Sequence, residues 1–331
     1  MDTNALKRLA QEARQSLRQS IKTKLAVVLA EDSLARRESH RAVRQLETQL
    51  RADGEDRVVE QVAYTWFNRF TALQFMDMND YNRVRVIAAA EGKTRPEILA
   101  DASAGVFNQA IIPENTSNMV RALLDGRSPS HDPENEAYCL LLVAACNHWH
   151  GAMPFMFERI ADFTELLMPD DLLSPTSILA ELRRVVTVET CADVEVIGWL
   201  YQFYISEKKD EVFEGLRENK KVTPENIPAA TQLFTPHWIV KYLVQNSLGR
   251  LWMLNRPHSA LADQMEYYIA PQEPEDDYLK IASPEEIRIC DPAVGSGHML
   301  TYAFDLLYAI YEEAGYEAAE IPSLILQKNL Y

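Results

Sequence analysis

Apolar residues recur at intervals of three and four through the first two thirds of the chain, the spacing of one face of a helix. In the opening fifty residues Leu17, Ile21, Leu25 and Val28 mark such a stripe, flanked by Arg14, Arg18, Lys22 and Lys24, with no Pro or Gly before Gly54. A basic, amphipathic helical pair is predicted there, its polar side either a solvated face or a contact for DNA phosphates. Residues 58–76 carry Val62, Trp66, Phe70 and Leu73, broadened by Ala63, Phe67 and Met76. An aromatic stripe at that spacing reads as core rather than as a stacking platform for bases. Segments 118–125, 134–150, 154–168 and 176–186 continue the helical pattern between Pro-containing turns, and Asp132-Pro133 predicts a capped helix start. A further helical stretch, 195–216, has Ile197, Leu200, Tyr201 and Tyr204 on one side. No alternation of period two marks a strand before about residue 220, so this region is predicted to be all-α.

The pattern changes after ENKKVTPENIPAA. Phe234-Thr235-Pro236 leads into a predicted helix over 237–251, and a Pro- and acid-rich connection follows. Ile287-Arg288-Ile289-Cys290 is then a short apolar run, succeeded at once by Asp291-Pro292-Ala293-Val294-Gly295-Ser296-Gly297 and a helix from His298 to about Glu313. Buried strand, glycine loop and helix in that order predict the opening of an α/β Rossmann-like unit. In such a unit the helix face bearing Leu300, Phe304, Leu307 and Tyr308 would pack on the sheet. The expected division is a helical domain over 1–225 and the first, incomplete part of a Rossmann-like domain over 226–331.

Composition narrows the function. The 331 residues hold 33 Lys and Arg against 49 Asp and Glu, for a net charge of −16, and 47% hydrophobic residues, an ordinary globular balance. Residues 1–51 carry 11 basic and 6 acidic side chains, leaving 22 basic and 43 acidic in the other 280. A chain that gripped a duplex over most of its surface would not have this distribution, so any nucleic-acid contact must be local. No run approaches the roughly 20 apolar residues of a membrane span, and the N-terminus lacks a signal-peptide core; both point to the cytoplasm and away from a membrane. Cys139, Cys146, Cys191 and Cys290 are too scattered for a disulfide framework or a zinc site. His148 and His150 lie two apart on a predicted helix and point to different sides, so no metal is expected.

Gly295 and Gly297 permit a sharp turn and a close backbone approach to a ligand, and the helix that follows presents unpaired N–H groups. The spacing alone leaves pyrophosphate and amino-acid carboxylate both open. A dinucleotide fingerprint has a third glycine where this chain has Leu300, and a Walker loop ends in Gly-Lys-Ser/Thr, also missing. Asp291 ahead of the loop would repel a diphosphate and attract an ammonium group, as in the methionine part of S-adenosylmethionine.

CDPAVGSGHML resembles the cofactor-binding motif of adenine-specific DNA methyltransferases, and LFTPHWIVKYLV, with Thr235 56 residues before Asp291, resembles their Thr-Pro segment. VAYTWFNRFTALQFM, VEVIGWLYQFYISEKKDEVF and the terminal LILQKNLY extend the match, so that essentially the whole chain is similar to the PglX-type methyltransferases of BREX phage-defence systems. The resemblance implies an S-adenosylmethionine site. Asp291 would bind the methionine amino group, and Pro292, Ala293, Gly295, Ser296 and Gly297 would wall the methionine moiety. Phe234, Thr235 and Pro236 would close the other side. Taken alone, Thr235-Pro236 reads as a helix start with Thr as N-cap and Pro in the first turn.

The family also carries a second acidic residue for the ribose and an Asn/Asp-Pro-Pro-Tyr/Phe segment that holds a flipped adenine. No Pro-Pro dipeptide occurs here. The resemblance therefore implies the N-terminal part of a larger enzyme that methylates adenine N6 in double-stranded DNA for host marking and defence, with this chain inactive by itself. A non-catalytic helical interaction module, docking on other BREX components and keeping a vestigial cofactor loop, is the alternative. A nicotinamide oxidoreductase fits poorly because of Leu300 and Asp291-Pro292.

Overall fold

The computed structural model describes residues 2–331 except 91–92, 159–162, 193, 219, 224–225, 232–233 and 296. The chain forms two compact units, Met1–Lys221 and Val222–Tyr331.

The regular elements of the first unit, among its described residues, are all helices. Helix α1 (Thr3–Leu29) is capped by Asp2, whose side chain accepts from the Asn4 and Ala5 N–H groups, and buries Leu6, Leu9, Ala13, Leu17, Ile21, Leu25 and Val28 along one stripe. The short α2 (Leu34–Glu38) and α3 (His40–Asp53) follow. Gly54, with φ of 82°, then turns the chain into α4 (Glu55–Met78). α4 is buried on nearly every side, by Trp66, Phe67, Phe70 and Leu73 among others, which makes it the central helix of the unit. α5 (Glu97–Ser103), α6 (Glu114–Leu124), α7 (Pro133–Trp149), α8 (Phe163–Leu166), α9 (Ile178–Val185), α10 (Glu195–Tyr204) and α11 (Ser206–Arg217) complete it. α1 packs on α4, α9 and α10. Asp132 caps α7 through the Asn135 N–H at 3.1 Å, with Pro133 in the first turn.

Two helical segments are shorter than their apolar spacing indicates. Of 154–168, 159–162 lie outside the described residues, 151–157 form turns around Gly151 and Pro154, and only Phe163–Leu166 is helical. The 195–216 stretch breaks at Ile205 into α10 and α11, where the Ser206 hydroxyl donates to the Phe203 carbonyl at 2.7 Å.

Polar groups tie this unit together. Arg14 of α1, only 4% exposed, donates to Glu60 of α4 at 2.8 Å and to Glu207 of α11 at 2.8 Å. Asp77, fully buried near the end of α4, accepts from Asn82 (2.6 Å) and from the N–H groups of Val86 (3.0 Å), Ile87 (2.7 Å) and Ala88 (2.8 Å). That carboxylate folds the irregular 79–90 segment back over the helix end. His150 Nδ1 is engaged with the Phe157 carbonyl at 2.9 Å.

The second unit corrects the fold expectation: no α/β Rossmann-like domain begins here. Among its described residues there is no β-strand, and the elements are helical. α12 (Ile227–Thr231) precedes a long helical run made of α13 (His237–Val244), a π-helical turn (Gln245–Gly249) and α14 (Arg250–Asn255). Two 3₁₀ turns (Ala260–Gln264, Pro284–Glu286) interrupt the connection that follows; α15 (His298–Glu313) and α16 (Ile321–Lys328) close the unit. Ile287–Cys290 makes one isolated parallel bridge, Ile289 to Leu330, with Ile289 N–H donating to the Asn329 carbonyl at 2.7 Å and Tyr331 N–H to the Ile289 carbonyl at 2.9 Å. A parallel sheet needs strands on both sides of a buried strand. Here only Ile287 of the run is buried in the helical core, Ile289 packs partly against it, and Arg288 and Cys290 are exposed.

The core of this unit also differs from expectation. α15 turns Ala303, Leu306, Leu307, Ile310 and Tyr311 inward, so of the expected sheet-facing set only Leu307 is fully covered. These side chains pack with Val240, Val244, Leu248 and Trp252 and with Ile321 and Ile325 of α16. The π-helical turn has its own polar anchors. Gln245, 1% exposed, donates to the Tyr302 hydroxyl (2.6 Å) and accepts from Tyr267 N–H (2.6 Å), while Asn246 accepts from Ile269 N–H (2.9 Å).

Candidate functional site

The two motif segments of the second unit meet at His298, the first residue of α15. Its Nε2 lies 3.0 Å from the Thr235 carbonyl oxygen, and its ring stands over the Phe234 ring at 4.3 Å between centroids and 33° between planes. Phe234 is buried; Thr235 and Pro236 are half-buried. Pro236 is the N-cap of α13, and no side chain caps that helix. The helix start read into Thr235-Pro236 is therefore displaced by one residue, and the Thr235 hydroxyl does not serve it.

The glycine loop is shaped by backbone conformation rather than by crowding. Gly295 (φ 55°) and Gly297 (φ 79°) both lie in the left-handed region. A Cβ at either would meet nothing closer than 3.8 Å. Asp291 starts the loop with its N–H on the Tyr331 carbonyl (3.1 Å), and its Oδ1 accepts from Ala293 N–H at 3.0 Å, a local Asx-type turn. Gly297 N–H closes onto the Val294 carbonyl at 2.8 Å, and the Thr301 hydroxyl donates back to the Gly297 carbonyl at 3.0 Å. Pro292, Ala293 and Gly295 are exposed, Asp291 and Gly297 half-buried, and Ser296 lies outside the described residues.

A cavity of about 480 Å³ opens beside this loop, lined by Leu243, Leu251, Cys290, Asp291 and Met299 among others. Of the eight described residues among the nine read from the sequence, only Asp291 lines it. The carboxylate suits the ammonium end of an amino-acid ligand: Asp291 is half-buried, and its Oδ2 has no hydrogen-bond partner among the described residues. The Phe234 and His298 rings lie tilted against each other where the two segments meet. His298 is the residue the motif reading passed over. Its bond to a backbone carbonyl 63 residues away has no counterpart in local spacing.

No group of three His, Cys, Asp or Glu side chains is placed to hold a metal ion, and no helix is long and apolar enough to cross a membrane, both among the described residues. Burial pushes the Cys139 and Cys146 thiols up to about 12 and the Cys191 thiol to about 11, whereas Cys290 is exposed at the cavity.

No protein-family model matches the chain. Two relatives match it over its whole length. The adenine-specific methyltransferase BrxX of Escherichia coli O9:H4 (strain HS) is 40% identical over 369 aligned positions, which cover 29% of that protein. The adenine-specific methyltransferase PglX of Lacticaseibacillus casei (strain Zhang) is 33% identical over 380 positions, 31% of its length. The chain thus spans under a third of the curated relatives it matches. Along its whole length, the chain is homologous to part of the BrxX/PglX adenine-specific methyltransferases.

Proposed function

We propose that the chain serves as a helical, non-catalytic interaction module within an adenine-specific DNA methyltransferase of phage defence, carrying one wall of a cofactor site. The observation that carries this reading is the open geometry of the glycine loop. Asp291 is half-buried and the turn after it exposed, while the acceptor-holding Pro-Pro segment of such enzymes is absent from the 331 residues. Double-stranded DNA and other defence components are the partners it implies, in a cytoplasmic setting.

In this reading Asp291 takes the amino group of S-adenosylmethionine, and Pro292, Ala293, Gly295, Ser296 and Gly297 run along the methionine moiety. Phe234, Thr235 and Pro236 stand opposite, positioned through His298. S-adenosylmethionine, when bound, supplies the methyl group; this chain's share is to orient its amino-acid end.

Two measurements test the reading. The 331-residue chain, incubated with methyl-labelled S-adenosylmethionine and duplex DNA, should transfer no label. A chimera in which the chain replaces the matching segment of the Escherichia coli relative should retain adenine methylation, and Asp291→Ala in that chimera should weaken cofactor affinity. Label transfer by the chain alone, or a folded chimera without methylation, refutes it.

A further inference from the structure

The basic residues of positions 1–51 are not equivalent once folded. Arg14, Arg18, Lys22, Lys24 and Arg36 are used internally, on Glu60 and Glu207, on Glu60, on Asp56, on Asp170 and on Glu47 respectively. Arg41, Arg44 and Arg51 of α3 are different. All three are exposed, and none forms an ion pair among the described residues.

They also share a face. Positions 41, 44, 48 and 51 step by three, four and three, which aligns Arg41, Arg44, Thr48 and Arg51 along one side of α3. Val43 and Leu46 point the opposite way, into the core. The two acidic side chains of α3 are directed elsewhere: Glu47 to Arg36 at 2.8 Å, and Asp53 to Arg57 and Gln49. Beside the arginines a shallow groove of about 550 Å³ is lined by His40, Arg41, Arg44, Thr48, Gln49 and Phe163.

We propose that this face of α3 is a sequence-independent contact for the phosphate backbone of double-stranded DNA. The inference rests on the methyltransferase reading for its choice of duplex DNA, and on the face itself for its place. From Arg41 to Arg51 the helix rises about 15 Å. One DNA strand presents a phosphate every ~3.4 Å of axis, so a helix laid along the backbone reaches several phosphates. Guanidinium groups bind phosphate oxygens in bidentate fashion, which suits an all-arginine set. Large apolar side chains, which a membrane-surface helix needs, are missing from this face. Because the other 280 residues carry 22 basic against 43 acidic side chains, the contact is confined to one stripe rather than spread over the surface.

The test is anisotropy of a labelled random-sequence duplex titrated with the 331-residue chain over a series of salt concentrations. The triple variant Arg41→Gln, Arg44→Gln, Arg51→Gln is compared with Arg95→Gln, Arg127→Gln, Arg184→Gln, which removes the same charge from surface arginines engaged with Glu134, Asp125 and Glu181. The α3 variant should bind at least about tenfold more weakly at low salt, with the slope of log affinity against log salt shallower by about 2–3, near 0.9 per lost phosphate. The control should change little, and Arg→Lys at the three α3 positions should keep most of the slope. Equal loss in both triple variants, no salt-dependent duplex binding by the parent chain, or equal competition by polyglutamate would overturn the proposal. A chimera that methylates adenine while the α3 variant behaves like its control removes this surface and leaves the methyltransferase reading standing.

Discussion

Removal of the Asp77 carboxylate should unfold the first unit more readily than any single apolar truncation on its surface. Both oxygens are engaged, Oδ1 by Asn82 and Val86 N–H and Oδ2 by Ile87 and Ala88 N–H. Asp77→Ala leaves three backbone N–H groups and one amide without their acceptor, at roughly 1–3 kcal/mol each when buried. Burial also raises the carboxyl's pKa, so part of what the donors contribute offsets desolvation of the charge. The lower half of the range is therefore the better guide, a loss of about 4–8 kcal/mol. Asp77→Asn should cost nearly as much, because its NH₂ group confronts N–H donors where Oδ2 accepts. The assay is urea unfolding followed by tryptophan fluorescence. Trp149, whose indole donates to Asn82 at 2.9 Å, reports on the same segment. A loss below about 1 kcal/mol for Asp77→Asn would show that the four bonds are replaced by water and that the carboxylate does not organise 79–90.

Two further outcomes concern the second unit. Burial works to raise the Glu313 carboxyl, but hydrogen bonds from Ser259, Trp252 and the Ala260 and Leu261 N–H groups outweigh it and hold it below the ordinary value. A carboxylate so lowered supports the fold above the ordinary glutamate range and loses that support as pH falls through the lowered value. The melting temperature of this unit should drop on acidification through that window, and the drop should be smaller in Glu313→Gln. Of the four thiols, Cys290 alone should react rapidly with a disulfide reagent at neutral pH, because Cys139 and Cys146 are pushed up to about 12 and Cys191 to about 11, and Cys146 and Cys191 are buried. Rapid release of more than one equivalent would contradict the raised pKa values of the other three thiols.

Much of the helical architecture was written in spacing alone, since the stripes of α1 and α4 bury at the positions their periodicity picks out. The second unit was harder to read for a physical reason. An apolar run of four ahead of a glycine loop has the same appearance whether neighbours extend it into a sheet or helices cover it, and the missing information is long-range. The loop itself was legible because positive φ at Gly295 and Gly297 demands residues without a Cβ. Its junction with Phe234 and Thr235 through His298 was not, being a contact between distant segments. The α3 arginines carried a visible spacing, but only folding distinguishes them from basic neighbours consumed by Glu60, Asp56 and Asp170.

The wide turn at Gln245–Gly249 has a geometric effect beyond the side chains it anchors. Val240, Val244, Leu248 and Trp252 are all buried, at a constant interval of four. On an unbroken α-helix that interval creeps round the axis by about 40° at each step, and the last member would swing away from the first. Looser winding midway slows the creep, so a row that ought to spiral off the interior stays aimed at it. Such a helix is out of phase with the usual ruler and still perfectly in step with its own core.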